Sequence, residues 1–424
     1  MSPSNGRLAG RVLVCLLVLA DPVVAQVPVP LAQARLGNVL EAIRADSAWT
    51  LAQQISICEI PAPPFKEAAR AQEFRRRLES FGFRDVRIDS VGNVIAERPG
   101  RRDLPGVMLA GHLDTVFPEG TDVTVKREGA RFRGPGISDD CRGLAVVLTV
   151  ARAFQRAGVA TNRTLYFVGD VGEEGAGNLR GVRHLFEHEL RGKVGYFVSV
   201  DDADLHLVSR AVGSNRYTVS YKGPGGHSYG EFGRVNPIHA LGRAVAAIAD
   251  IQVPESPRTT FNVGTVTGGT SVNAIPFEAS AQVDLRSESA AALRALDTRV
   301  RSILDSALAA ENARWGAGRG DKARLTLQID TIGMRAANDA QTERSPIVAA
   351  AMAAGRALGF TPSPNASSTD ANLPMSMGIP AITIGAGGHS GDSHALTEWY
   401  EESSTSTQGP RWAALLVAAL GEVR

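Results

Sequence analysis

The order of the predicted strands and helices changes twice along this chain of 424 residues. In residues 68–200, short apolar runs alternate with amphipathic helical stretches, which is typical of βαβ units around a largely parallel, buried sheet. In residues 213–329, the order becomes strand, helix, strand, strand, helix, strand, as in a small ferredoxin-like sheet. A helix at residues 347–358 and a strand at residues 381–384 then return to the first pattern. The sequence therefore predicts one domain inserted within another.

The length of the chain supports two domains, because a single hydrophobic core stops growing at roughly 250–300 residues. We expect a first α/β domain from residues 26–212 and 331–424, with a mixed, largely parallel sheet. Residues 213–330 would form the inserted α+β domain, with its helices on one face of the sheet. A hydrophobic content of 44% and a charged content of 21% are typical of a globular protein and exclude a disordered one.

The N-terminus has the order of a targeting segment. Arg7 and Arg11 precede an apolar run at residues 12–20, and small residues follow as far as Ala25. This order predicts a secretory signal peptide at residues 1–25, and the run is shorter than the ~20 residues that span a bilayer. We therefore expect a protein exported to the periplasm or the exterior and free of the membrane after cleavage. A helix retained in the cytoplasm is the alternative.

The cysteine count and the net charge exclude further classes. Three cysteines are too few for a disulfide framework. Cleavage would leave Cys58 and Cys141. An oxidising compartment would permit a disulfide between them, but the sequence alone cannot place them within reach of each other, so we treat both as free thiols. Lys and Arg number 45 against 44 Asp and Glu, so no net field would attract nucleic acid or an anionic membrane.

Two motifs in the first half of the chain suggest a metal site. His112 and Asp114 lie two residues apart after an apolar run, so an extended chain places both on one side. Asp114 could then accept the second ring N–H of His112, as carboxylates do for metal-bound histidines. A glycine-bounded loop carries Asp139 and Asp140. One of these could cap the following helix while the other faces a cation.

Three further motifs supply carboxylates and a second imidazole. The pair Glu173 and Glu174 follows an apolar strand, where one side chain could bind a metal and the other act as a base. Asp201 ends another strand, and His394 follows the last one. Ligands of open α/β sheets gather at the carboxyl ends of the strands. Nitrogen and oxygen donors without thiolates suit a catalytic zinc pair better than a structural zinc site.

With these five motifs in order, the chain from about residue 53 to its end resembles the M20 family of co-catalytic zinc metallopeptidases. That family includes aminotripeptidases, dipeptidases, glutamate carboxypeptidases and amino-acid deacylases. The resemblance implies that His112 and Asp201 bind one of two divalent ions, zinc in the first instance and cobalt or manganese as alternatives. Glu174 and His394 would bind the other ion, and Asp139 would bridge the two.

The same resemblance implies roles for side chains that do not bind metal. Asp114 would orient His112, and Glu173 would be the general base in amide hydrolysis by metal-activated water. One departure from the family pattern is Cys141-Arg142, which stands where many members have Lys-Gly. It alters the surroundings of the bridging aspartate but removes no ligand.

The resemblance extends to the inserted domain, which in this family closes over the site as a lid and forms a homodimer interface. His227, in Gly-Gly-His-Ser, matches a histidine that reaches the active site of the neighbouring subunit. Asn273 and Arg286 match substrate-binding residues of the lid. Asp370 matches a stretch typical of aminotripeptidase-like members, and it could pair with a cationic amine or only cap a turn.

The expected substrate class rests mainly on Asp201. In the family, this ligand tends to be Asp in aminopeptidases and dipeptidases and Glu in carboxypeptidases and deacylases. Arg286 could bind the carboxylate of a short peptide through a bidentate fork. We therefore expect cleavage of short peptides with free N-termini. The alternatives are an N-acyl amino acid deacylase or a glutamate-type carboxypeptidase and, more remotely, a non-catalytic metal-binding protein.

One further motif has the letters of a zinc site but the wrong periodicity. His184, Glu187 and His188 spell HxxEH. On a helical wheel, both histidines fall opposite an apolar stripe within residues 179–190, so we expect a solvated face.

The remaining histidines are weaker candidates. His206 and His239 lack a carboxylate at useful spacing, so we expect structural roles for them. His389 is the alternative to His394 as a ligand, and Asp202 is the alternative to the aspartate before it.

Overall fold

The computed structural model describes residues 28–316 and 324–424. The predicted signal peptide lies outside the described residues. The α-helices of the described part, in chain order, are α1 Val29–Ala45, α2 Ser47–Cys58, α3 Ala68–Ser80, α4 Cys141–Arg156, α5 Arg180–His184, α6 Pro237–Ala249, α7 Ala290–Glu311, α8 Pro346–Ala357, α9 Asn372–Ser376 and α10 Gln408–Leu420. No helix in this part of the chain combines the length and the hydropathy needed to cross a membrane.

Strands of the described ranges form four sheets. In chain order they are β1 Arg87–Ile88, β2 Val94–Arg98, β3 Gly106–His112, β4 Lys126–Glu128, β5 Arg131–Arg133, β6 Leu165–Asp170, β7 Val194–Val200, β8 Leu207–Ala211, β9 Gly213–Lys222, β10 Gly226–His227, β11 Thr259–Gly268, β12 Ala274–Ile275, β13 Glu278–Ser287, β14 Thr326–Arg335, β15 Pro364–Ser367, β16 Ala381–Ile384, β17 His389–Gly391 and β18 Trp399–Glu401.

The largest sheet has eight strands in the order β1-β2-β6-β3-β7-β16-β8-β15. Its central strands β6, β3, β7 and β16 are parallel neighbours, and β1, β2 and β8 add antiparallel pairs. Every residue of β3 is buried, because its alternate side chains belong to two different cores. Val107 and Leu109 lie in one core with α4 and α10, whereas Met108 and Ala110 lie in another with α5 and α9. The predicted mixed, largely parallel sheet is confirmed.

The second large sheet has the antiparallel order β11-β13-β9-β14. Its strands and the helices α6 and α7 follow the predicted βαββαβ order, and they enclose a separate core that includes Tyr221, Leu241 and Leu296. Strand β14 runs from Thr326 to Arg335 and so crosses the expected domain boundary at residue 330. This extension brings Arg335 close to the first domain.

Helices α2 and α4 are joined by a disulfide between Cys58, the last residue of α2, and Cys141, the first residue of α4. Their Cα atoms are 5.3 Å apart, which lies within the usual range for a disulfide. The expectation of two free thiols is therefore wrong. The two residues are 83 positions apart in the chain, and only the packing of the two helix ends brings them together.

Replacing both cysteines by alanine is expected to lower the free energy of unfolding by about 2–4 kcal/mol, because the crosslink restricts the unfolded chain. The measurement is guanidinium unfolding of both proteins, with and without reductant. Reductant should lower the unfolding midpoint of the wild type and leave that of the double variant unchanged. A wild-type midpoint that is insensitive to complete reduction would contradict a stabilising role.

Candidate metal centre

Three parallel strands bring most of the predicted ligands to one edge of the main sheet. Strand β3 ends at His112, whose Cα lies opposite that of Asp170 at the end of β6. Glu173 and Glu174 follow β6, and Asp201 follows β7 directly. Because neighbouring parallel strands end at the same edge, residues from distant parts of the sequence converge there.

The first group of possible ligands consists of His112, Asp139 and Asp201. One ligand atom from each lies within 4.8 Å of the others. His112 Nε2 is 2.9 Å from Asp139 Oδ1 and 3.8 Å from Asp201 Oδ1. Asp202, the alternative to Asp201, instead accepts hydrogen bonds from the hydroxyls of Ser390 and Ser393.

The second group consists of Asp139, Glu174 and His394. His394 Nε2 lies 3.0 Å from Asp139 Oδ2 and 3.0 Å from Glu174 Oε1. Asp139 thus faces each group with a different oxygen atom, which is the arrangement that a bridging carboxylate needs. His389 lies outside both groups and pairs with the exposed Asp204 at 2.9 Å.

The charges of these side chains fit divalent cations. Hydrogen bonds to Asp139 and Glu174 raise the pKa of His394 to about 11. Burial alone would lower the pKa of His112, but the nearby carboxylates of Asp114, Asp139 and Asp201 outweigh burial and raise it. Without metals, the carboxylates therefore draw protons onto both imidazoles. A set of nitrogen and oxygen donors with excess negative charge and no thiolate is what catalytic zinc sites use.

The loop that carries Asp139 is held by Glu398. One carboxylate oxygen of Glu398 accepts hydrogen bonds from Ser138 N–H and Oγ–H, both at 2.8 Å, and from Asp139 N–H at 3.1 Å. The other oxygen accepts from Gly136 N–H at 3.0 Å. Burial raises the pKa of Glu398 to about 7. The sequence shows Glu398 near the histidine ligand but not this contact with a loop 260 residues away.

Asp140 has the capping role that one residue of the vicinal pair was expected to take. Its Oδ1 accepts from Gly143 N–H at 3.0 Å in the first turn of α4, and its Oδ2 accepts from His112 N–H at 3.0 Å. Asp140 therefore fixes the backbone of His112 and leaves the metal-facing position to Asp139.

Asp114 orients the site differently from the expectation. The Nδ1 atom of His112 lies 3.1 Å from the main-chain oxygen of Asp114 and 3.7 Å from its carboxylate. The carboxylate instead accepts hydrogen bonds from the N–H groups of Gly172, Glu173 and Glu174, at 2.8, 3.1 and 2.9 Å. It thus positions the turn that presents the two glutamates.

Glu173 lies beside Arg335, which the sequence did not indicate. Arg335 Nη1 donates to Glu173 Oε1 at 2.7 Å and to Ser368 Oγ at 3.1 Å, while Nη2 donates to the main-chain oxygen of Glu173. Burial raises the pKa of Glu173 to about 8, even though Arg335 acts to lower it. The carboxylate is close to the ligands, since Glu173 forms a further group with His112 and Glu174.

Asp370 is not placed to bind a substrate amine. Its side chain is 1% exposed and lies outside the lining of the cavity at the metal centre. It faces Asp170, and among the described residues neither carboxylate has a donor other than the opposite carboxyl group. Burial raises the pKa of Asp170 to about 7 and that of Asp370 well above its ordinary value. One of the pair can therefore carry a proton and donate it to the other.

A cavity of about 720 Å³ adjoins the metal centre. Of the predicted lid residues, Arg286 lines this cavity. Arg216 and Arg335, which were not predicted, line it as well. His227 and Asn273 are not among its lining residues. They lie together on the β10–β12 ribbon, where Ser228 N–H donates to Asn273 O at 2.9 Å.

The other histidines fall into three settings. His206 lines the cavity, although no motif in the sequence predicts a place for it there. His239 has a carboxylate neighbour after all, since its Nδ1 lies 3.8 Å from the buried Glu311. In the HxxEH segment, the apolar stripe is buried and His188 is exposed, as predicted. The side chain of His184 is only 20% exposed, and its Nε2 atom lies 3.3 Å from Ser90 Oγ.

Comparison with known proteins gives matches in sequence and in structure. The profile of Peptidase family M20/M25/M40 matches residues 108–417. The "Probable carboxypeptidase" of Paracoccidioides brasiliensis strain Pb03 is 30% identical over 261 residues, which are 54% of this chain and 58% of that protein. The succinyl-diaminopimelate desuccinylase of Nitrosospira multiformis is 30% identical over 250 residues, covering 54% and 65%. This chain thus spans less than two thirds of either relative.

Among solved structures, aminopeptidase PepT from Bacillus cereus ATCC 10987 superposes with a TM-score of 0.68 at 18% identity. The superposition covers 88% of this chain and 98% of the aminopeptidase. At this identity, the likeness establishes a shared fold.

Proposed function

The chain belongs to peptidase family M20/M25/M40, and on that basis we propose that it is a two-metal hydrolase of short peptides with free N-termini. The observation that carries the proposal is the pair of ligand groups that share Asp139, next to the buried carboxylate of Glu173. A catalytic metal site needs such ligands together with a base within reach of the reacting water.

In this proposal, His112, Asp139 and Asp201 would bind one ion, and Asp139, Glu174 and His394 would bind the other; the two ligand groups around Asp139 support it. The ions would supply Lewis acidity at the scissile carbonyl and lower the pKa of water. Zinc fits this donor set, and cobalt and manganese are the alternatives.

Glu173 would take a proton from the attacking water and deliver it to the departing amine. A general acid–base group works best when its pKa is near the working pH, and burial raises the pKa of Glu173 to about 8. Asp114 supports this role because its carboxylate holds the backbone N–H groups of Gly172, Glu173 and Glu174.

The cavity supports a short substrate with a free carboxylate. Arg216, Arg286 and Arg335 line it together with Asp139 and the other acidic residues of the metal centre. A guanidinium group can bind a carboxylate through two parallel hydrogen bonds. In this family, the ligand at the position of Asp201 tends to be an aspartate in aminopeptidases and dipeptidases, which favours peptidase activity. The carboxypeptidase and desuccinylase relatives make carboxypeptidase and deacylase activity the alternatives.

A panel of metal-loaded reactions tests the substrate class. We expect kcat/KM for free di- and tripeptides to exceed that for N-acetyl and N-succinyl amino acids by about 10-fold or more. The reverse order would refute the aminopeptidase assignment and leave a two-metal hydrolase. No turnover of any peptide or acyl amino acid by protein with two bound ions would refute the hydrolase and favour a non-catalytic metal-binding protein.

We also propose a homodimer in which His227 serves the site of the neighbouring subunit. In support, His227 is exposed on the β10–β12 ribbon and does not line the cavity of its own chain. Mixing inactive His227→Ala and Glu173→Ala proteins should then restore roughly one quarter of the wild-type activity, because half of the dimers become mixed and each has one intact site. No recovery after subunit exchange, verified by mass spectrometry, would contradict action in trans.

Export is the proposed localisation. The basic and apolar N-terminal segment supports it, and so does the buried Cys58–Cys141 disulfide, because disulfides persist in oxidising compartments. The mass of the protein isolated after expression in its own host, with thiols blocked at lysis, tests both cleavage and oxidation. An uncleaved, fully reduced protein would contradict export.

A further inference from the structure

We propose that Arg335 makes catalysis depend on a free carboxylate in the substrate, by holding Glu173 until that carboxylate takes its place. This inference rests on the proposed hydrolase function and adds to it a reason why the carboxylate is needed for turnover and not only for binding. It assigns Arg335 a role in specificity that the sequence pattern does not indicate.

The contact between the two residues is specific and buried. Arg335 Nη1 lies 2.7 Å from Glu173 Oε1, and Nη2 donates to the main-chain oxygen of the same residue. The two side chains are 6% and 7% exposed. A charge-assisted hydrogen bond in such surroundings is strong, and it engages the carboxylate that must accept a proton from water. In this arrangement, the Oε1 atom of Glu173 is occupied by Arg335 and cannot accept a proton from water.

Arg335 also faces the part of the cavity that suits a carboxylate. Arg216 and Arg286 line the same cavity, and both donate to the single carboxylate of Asp284, at 3.4 and 2.8 Å. Two guanidinium groups therefore share one anion, which leaves positive charge available to a ligand. Within the described ranges, the Nε atom of Arg335 is buried without a hydrogen-bond partner, so this side chain has unused donor capacity.

These contacts allow Arg335 to exchange one anionic partner for another. A substrate carboxylate that binds Arg335 replaces Glu173 as its anion, so Arg335 stays paired and no buried charge is left alone. Glu173 is then free to accept the proton. No covalent bond changes in this step. A substrate without the carboxylate can still reach the metal centre, but it leaves Glu173 engaged.

The first test compares glycyl-leucine with glycyl-leucinamide, and N-acetyl-leucine with N-acetyl-leucinamide in case the enzyme is a deacylase. In the wild type, kcat for the amide should be lower by about 100-fold, since an unavailable general base costs this much or more. Equal kcat values for acid and amide, with the difference confined to KM, would overturn the proposal. This comparison requires no variant, and turnover of neither pair would count against the proposed function instead.

Variants separate Arg335 from the other arginines of the cavity. In Arg335→Gln, the acid-to-amide ratio of kcat should fall to about 5 or less, and Arg335→Lys should restore part of it. Arg286→Gln is the matched control, because Arg286 lines the same cavity but donates to Asp284. It should raise KM for the acid and retain the kcat ratio. A ratio that survives in folded Arg335→Gln would overturn the proposal.

A binding measurement avoids turnover altogether. In Glu173→Gln, leucine should bind about 10-fold more tightly than to the wild type by titration calorimetry, because Arg335 no longer has to release an anion. Leucinamide should not gain in the same way. The gain for leucine should disappear in the Glu173→Gln, Arg335→Gln double variant. An equal gain with and without Arg335 would reduce the effect to general charge repulsion and overturn the proposal.

Discussion

Replacing Glu173 by glutamine is expected to lower kcat by a factor of about 10²–10⁴, which is the usual contribution of a general acid–base group. Glutamine has nearly the same volume but cannot accept and return a proton. Neither group that shares Asp139 includes Glu173, so the metal content should remain two ions per chain. The measurement is steady-state turnover of a good peptide substrate together with elemental analysis of the same sample.

The matched control for this variant is Glu187→Gln. Glu187 is 40% exposed and pairs with Arg183 on the surface of the HxxEH segment. Glu187 belongs to no ligand group and does not line the cavity, so its replacement removes the same charge outside the site, and kcat should stay within about twofold of the wild type. If Glu173→Gln retained wild-type kcat with both ions bound, another group would have to be the base.

Replacing Asp139 by alanine is expected to abolish activity and reduce the bound metal from two ions to one or none. Asp139 contributes one oxygen to each ligand group, so its loss opens both sites at once. Without the carboxylate, two closely spaced cations would also repel each other with nothing between them to offset the repulsion. Elemental analysis after dialysis against a weak chelator measures the stoichiometry, and a strong chelator should abolish the activity of the wild type.

Asp204→Ala is the control for the metal measurement. Asp204 is exposed and pairs with His389, and neither residue belongs to a ligand group. Its loss should therefore leave two ions bound. A measured stoichiometry of one ion per chain in the wild type, unchanged in Asp139→Ala, would contradict the bridged pair.

The sequence predicted the residues that follow directly from strand ends. His112, the glutamate pair and Asp201 each end or closely follow an apolar run, and such runs form the parallel strands β3, β6 and β7. Because these strands are neighbours, one local pattern repeated three times is enough to predict a common site. The helical wheel likewise separated His184 and His188 from the site, since helix periodicity is also a local property.

Other features depend on residues that no local pattern relates. Arg335 is 162 positions from Glu173, and Glu398 is 259 positions from Asp139. Spacing between residues so far apart carries no information about contact, so neither partner could be predicted. The same reason explains why Cys58 and Cys141 were expected to be free. The burial of Asp370, which was considered as a partner for a substrate amine, could not be predicted for a related reason. The exposure of a side chain depends on which distant residues pack over it.

The amino-acid sequence by itself thus determined the order of strands and helices, the edge of the sheet where ligands gather and the kinds of donor atom found there. These follow from periodicity and from the chemistry of short segments. Only the tertiary structure decided which oxygen of Asp139 faces which histidine, that Asp114 holds the glutamate turn and that Arg335 engages Glu173. Such contacts are set by the packing of whole domains, in which burial and many distant interactions are balanced together.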